Sequence, residues 1–436
     1  MENITRAFKI AELKKKLLFS LLVISCISLA TLIPIPAVNN MALRKIAESW
    51  GDIGILLDVT SIGGLKSGSI IALGLYPFLA ASMLMQILTV MVPKLRNLAQ
   101  LGDAGTKVIS KITRIVTLAM CVVLGALFSF GVRSAFSSNV NFWVCAVIAG
   151  LSVAIGSALV SWGCEILNTK GLGNGITLIL FAGCARYVPS VLMKIFSKSS
   201  ERFGIGLAVL FTVLGFVFSV AVIIFLVWIS LGERKVKILF RKMTSGMKQF
   251  GVPSQVLPFH ITQAGIMPVV YALTVISFPG VVIALLNPMS DNNMVLWNIN
   301  ITRNFTYFLF FLIFLVFFVY VFFIMQFNPA DMANEIRNYG GYIQGIKAGK
   351  LTTEYLFKMY NNMIILGSVY FIAVCCIPMG LSLIPGMNRI WFAGLSIAVL
   401  AGGVIEVLTI LNNAIKAEDD NNKQKNKRYK TSKFYR

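Results

Sequence analysis

Three stretches of this 436-residue chain, 204–231, 264–290 and 305–327, contain no Asp, Glu, Lys or Arg. A helix needs about 20 mostly apolar residues to cross the hydrocarbon core of a bilayer, and each stretch is long enough. Comparable runs lie near 17–37, 68–92, 112–132, 142–164, 173–195, 361–385 and 390–413, so ten spans are expected; Arg186 and Pro189 interrupt the run at 173–195. Hydrophobic residues make up 57% of the chain and charged residues 13%, which leaves too little polar surface to cover a globule in water. Such a chain belongs in lipid.

An even number of spans puts both termini on one side, and cytoplasmic loops carry the excess of Lys and Arg. The N-terminus, the tail and the loops 93–111, 165–172, 232–263 and 328–360 hold 28 of the 39 Lys and Arg, against 9 in the loops facing the other way. Both termini are therefore expected in the cytoplasm. The formal charge of +22 then reads first as topology and contact with anionic lipid, ahead of nucleic acid; any contact with ribosomal RNA would run through the cytoplasmic loops. The basic start followed by the apolar run from Leu17 has the outline of a cleavable signal, yet no convincing small-x-small site follows, and Pro34 and Pro36 end the run. Residues 414–436, rich in Lys and Asn, are expected to form a disordered basic tail.

Catalytic chemistry has little to work with. The seven cysteines, at 26, 121, 145, 164, 184, 375 and 376, fall inside expected spans without C-x-x-C spacing, as small core residues do. His260 is the only histidine, so a His-based metal site or a Ser-His-Asp triad lacks its parts.

Glycine and proline inside an apolar span usually serve close packing or a tolerated kink. Here their positions correspond: Gly74 and Pro77 lie near the start of the second span, Gly265 and Pro268 near the start of the seventh. Matching breaks in two five-span halves, 1–195 and 204–413, suggest inverted repeats around a central path. A small-solute secondary transporter shares that plan, but its midplane site needs polar or ionisable groups. The deep polar side chains are mainly Gln86, Arg186 and Glu406, and the latter two read as structural. A channel for polypeptides instead needs a lining that holds no side chain, which scarce charge fits better.

The segment 172–184, Leu-Gly-Asn-Gly-Ile-Thr-Leu-Ile-Leu-Phe-Ala-Gly-Cys, is a glycine-flanked polar hinge running into a chargeless helix. With Ala72 to Phe78 (Ala-Leu-Gly-Leu-Tyr-Pro-Phe) and Phe327 to Asp331 (Phe-Asn-Pro-Ala-Asp), it resembles the SecY family of protein-conducting channels. Further anchors follow in order: Gly63-Gly64, Ser69 to Gly74, Gln86 to Val90, Leu101-Gly102, Leu257-Pro258, Ala264 to Pro268 and Gly345-Ile346. The resemblance runs from the second span to the tenth.

It implies an all-α polytopic membrane protein of ten spans in two inverted halves around a pore. Six aliphatic residues would form the ring at its waist: Leu75 and Leu79, Ile176 and Leu180, Val270, and Val399. Such a ring excludes water and ions by dewetting. Ile55, Leu56, Leu57, Asp58, Ile62, Gly63 and Gly64 would belong to a plug in the external funnel, with the glycines as a flexible connection; a plain re-entrant loop is the rival reading. A short segment with two glycines is expected to contribute little burial. A lateral gate between spans two and three and spans seven and eight would carry Gln86 and Thr262, the latter where Asn is usual. Ten Leu-like residues leaving through it would gain roughly 3 to 6 kcal/mol in lipid.

The basic loops would dock a ribosome or a SecA-like ATPase through Arg234, Lys235, Lys237, Arg241, Lys347 and Lys350. Lys347 replaces an Arg usual after Gly-Ile, Ala348 replaces a Pro, and the segment at Glu233-Arg234-Lys235 departs from the family pattern. Lys cannot reproduce the planar fork of Arg. The resemblance further implies SecE-like and SecG-like subunits, signal sequences and the lipid bilayer as partners. It implies no cofactor, no metal and no enzymatic activity, and a bacterial-type inner membrane ahead of a plastid membrane.

Overall fold

The computed structural model describes residues 11–136, 141–230, 232–240, 243–245, 248–250, 255–260, 265–286, 305–326, 329–338, 341–343, 345–346, 349–382 and 399–411. Helices dominate them. In chain order they are α1 (Ala11–Ala30), α2 (Asn40–Ser49), α3 (Asp52–Thr60), α4 (Gly64–Ser67), α5 (Tyr76–Met91), α6 (Pro93–Gln100), α7 (Asp103–Gly131), α8 (Phe142–Lys170) and α9 (Gly175–Ser230). After a strand-bearing segment come α10 (Met267–Leu286), α11 (Phe305–Gln326), α12 (Pro329–Asn338), α13 (Lys350–Ser382) and α14 (Val399–Leu411).

Each of the ten apolar runs has a helical counterpart. Among the described residues six helices are long and apolar enough to cross a membrane, and the pair α5 and α6, bent by 102°, makes a seventh if it is one span. The bend falls at Val92-Pro93, where Val92 takes φ −95°, ψ 114°; proline disfavours helical backbone in the residue before it. The chain from Gly175 to Ser230 is helical on both sides of Gly204, whose φ of 81° and ψ of 167° break it into two segments. The second span starts later than its apolar run: 68–75 is a series of turns, and α5 begins at Tyr76 with Pro77 in its first turn. Proline is welcome there, since the first-turn N–H groups have no helical partner.

α10 is the centre of the assembly, with 67% of its spanning window buried; it packs against α3, α5, α7 and α11. Only 6% of the window from Gly204 to Ser230 is buried, and Ile205 and Trp228 lie open on its surface. Apolar side chains facing outward along whole helices suit hydrocarbon, where exposure carries no hydrophobic penalty. Between α7 and α8 the spacing is set by Gly125 and Gly150: a Cβ on Gly125 would stand 2.7 Å from the Gly150 carbonyl oxygen. Small residues let helix backbones meet at that distance.

Beside the helices stands a small sheet that the apolar pattern does not announce. Strand β1 (Glu233–Phe240) pairs antiparallel with β4 (Gln255–His260) on one side and β5 (Gly341–Ile343) on the other. Val236 and Ile238, two residues apart and so on one face of β1, are buried. β2 (Met243–Ser245) and β3 (Lys248–Phe250) form a separate hairpin. The expected basic loops 232–263 and 328–360 thus carry β1 to β5, helix α12 and the start of α13, and β1–β5 pairing joins the two.

Candidate functional site

The six ring residues come from four segments. Leu75 and Leu79 lie one turn apart at the start of α5, Ile176 and Leu180 likewise at the start of α9, Val270 is in the first turn of α10, and Val399 opens α14. An i, i+4 spacing puts two side chains on one helix face. All six are buried, none more than 6% exposed, within one continuous apolar cluster. That cluster also takes in Ile55, Leu56, Leu57 and Ile62 of the plug segment.

The segment expected to be the plug, 55–65, falls on helix α3 and the turn that follows it. Its seat is made by glycines. A Cβ on Gly183 of α9 would collide with the Val59 carbonyl, and one on Gly74 would collide with Thr60 and Ser61. Gly74 also has φ 52°, and the next N–H, that of ring residue Leu75, donates to the Thr60 carbonyl at 3.1 Å. The expected plug segment therefore touches the expected ring at Leu75 through backbone. Its burial is not small, contrary to expectation: Leu57 is fully buried and Ile62 is 2% exposed. Burying a Leu or Ile side chain is worth about 1.5 to 3 kcal/mol. At the connection expected to be flexible, Gly63 leaves room for a guanidinium.

That guanidinium is Arg186 of α9. A Cβ on Gly63 would lie 2.7 Å from its Cζ, and its Nη1 donates to the Ile62 carbonyl at 2.5 Å and to Thr31 Oγ1 at 3.4 Å. Ile62 itself has a positive φ of 52°, a conformation costly for a β-branched residue. Nearby, Asp58 is buried, accepts the Lys66 N–H at 3.1 Å, and pairs with the Lys66 ammonium at 3.4 Å. The same ammonium stands 5.2 Å from the centroid of the Tyr187 ring, within cation–π range. Arg186 reads as structural in the sequence, and here it ties α9 to the segment expected to be the plug, a contact that the charge inside an apolar run could have flagged.

Gln86 is half-buried on α5, whose neighbours include α7 and α10; Thr262 lies outside the described residues. Across the seam between α5 and α10, Tyr76 Oη and Ser277 Oγ are 3.3 Å apart. Arg234, Lys235 and Lys237 fall on β1, while Arg241 and Lys347 lie outside the described residues. Lys350 is exposed and is the first residue of α13, a helix start where a loop was expected.

The arrangement defines a class: a multi-pass membrane protein whose broken helices bury aliphatic side chains from four segments in one cluster with a short helix. The SecY family model matches residues 69–408. A protein translocase subunit SecY of Corynebacterium glutamicum is 30% identical over 401 residues, covering 87% of this chain and 88% of that one. The corresponding subunit of Thermotoga maritima is 27% identical over 414 residues, covering 92% and 93%. Among solved structures, a SecY protein described by its plug domain aligns with a TM-score of 0.61 at 16% identity over 92% of each chain. A structure described as a protein conducting channel aligns at 0.58, also at 16%, over 93% of this chain and 92% of that one. The chain belongs to the SecY family. It is a protein-conducting channel subunit, not an enzyme.

Proposed function

We propose that this chain passes unfolded secretory polypeptides through the ring formed by Leu75, Leu79, Ile176, Leu180, Val270 and Val399, and releases hydrophobic helices sideways between α5 with α7 and α10 with α11. The observation that carries the reading is the burial of six aliphatic side chains from four segments in one cluster with the plug. An empty apolar constriction sheds water and so blocks ions, while branched side chains can repack around a moving strand. The plug, held by Arg186 and the Gly74 and Gly183 seats, closes the external side at rest. The chain divides into halves 1–195 and 204–413, meeting near the Gly204 break.

The same reading puts the chain in a bacterial inner membrane with both termini in the cytoplasm, supported by the Lys and Arg distribution. Two structural neighbours were solved in ribosome complexes, a canine Sec61 and a yeast Ssh1. A ribosome or a SecA-like ATPase would dock on the sheet and the segment following β5, using Arg234, Lys235, Lys237, Arg241, Lys347 and Lys350. SecE-like and SecG-like subunits would accompany the channel. Proteoliposomes holding the complex should import a secretory precursor when motor and ATP are supplied. Saturable uptake of a small solute, with no import of precursor, would favour a transporter instead.

A further inference from the structure

The two proposed halves meet along two seams of different chemistry. On the gate side, α5 and α7 meet α10 through apolar side chains, the neutral hydroxyl pair Tyr76 and Ser277, and the close approach of Gly131 to the Leu285 carbonyl. On the other side, the start of α9 meets α14, and a carboxylate holds the joint. Glu406 Oε1 accepts the Asn174 N–H. Gly173 makes room for it, since a Cβ there would stand 2.6 Å from Oε1. One turn away, Gly403 admits the ring of Phe181. The carboxylate thus sits at the positive end of the helix beginning at Gly175, and a charge-assisted bond is roughly twice as strong as a neutral one.

The clasp is close to the ring in sequence on both sides. Asn174 precedes Ile176 by two residues, and Glu406 follows Val399 by two helical turns on α14. We propose that Glu406 is a positioning residue, a clasp that keeps the α9–α14 seam shut and holds Ile176 and Val399 in register while the opposite seam parts. This rests on the channel reading above. It makes the α9–α14 seam the fixed side of the opening motion.

The test uses the full chain with its partner subunits in planar bilayers, recording conductance per channel at rest and after adding a precursor. Glu406→Ala should raise resting conductance about tenfold, the size of effect expected when one charge-assisted bond is lost, in channels that assemble normally. Glu406→Gln keeps an acceptor oxygen and should fall between. Ile205→Ala, on the outward-facing surface, should leave both the resting value and the response to precursor near wild type. Wild-type resting conductance in Glu406→Ala overturns the clasp, as does a loss confined to the number of assembled channels. If Ala prevents assembly, Gln decides on the same criterion. A wild-type channel that ignores precursor would instead sink the channel reading, whatever Glu406 does.

Discussion

At Gly74 the backbone turns with φ 52° directly against Thr60 and Ser61 of the proposed plug, so one missing methyl group lets the proposed waist and plug touch. Gly74→Ala should therefore strain the backbone and push the plug off its seat, at a cost of about 1 to 3 kcal/mol. A lowered unfolding midpoint together with raised ion leak is the expected result. Normal leak at full stability would show that the seat tolerates the methyl. The ring is tested by polarity: Ile176→Asn or Val270→Asn puts an amide into the constriction and should hydrate it, raising resting conductance in reconstituted bilayers. Unchanged conductance in a folded variant would remove those residues from the gate.

Among the elements, the plug and the sheet carry separate predictions. Because Ile53, Ile55, Leu56, Leu57, Val59, Ile62 and Leu65 are all buried, deleting residues 52–67 removes on the order of 10 to 20 kcal/mol of apolar burial. The deletion should raise leak and admit precursors with weak signals, and it should also lower thermal stability. A deletion as stable as wild type would mean the funnel closes over the gap. The sheet joins two segments distant in sequence through Ile238–Ile343 and Phe240–Gly341 pairing, and Arg234, Lys235 and Lys237 of the proposed docking set lie on its strand β1. Lys347→Glu should leave folding within about 0.5 kcal/mol yet sharply reduce motor-driven import, with an effect that weakens as salt rises. Lys347→Arg should preserve or improve import by restoring a bidentate donor. Normal import by the Glu variant across a range of salt would move the docking site elsewhere.

For the whole molecule, what the sequence made legible was what lipid dictates. Apolar runs of spanning length report the solvent, so each of the ten has a helix. The turns at 68–75 hid inside one such run, because Ser-Ile-Ile-Ala-Leu is equally apolar whether it faces lipid as helix or is buried in protein as turns bonded to Ile33, Ser69 and Ile71 carbonyls. The strands hid for the opposite reason: β1 is too charged and too short to stand out, and its partner β5 lies a hundred residues away. Burial of the plug was illegible because it depends on Gly74, Gly183 and Arg186, three residues from elements that sequence order does not bring together.

The central claim, that a polypeptide threads the waist, is tested most directly by cross-linking. A secretory precursor stalled midway should form disulfides with single cysteines placed at Leu79 and at Leu180 in a chain freed of its native cysteines. Cysteines at lipid-facing Ile205 and Trp228 should stay unlinked. Linking at the outer positions with none at the waist would contradict the path proposed for this chain.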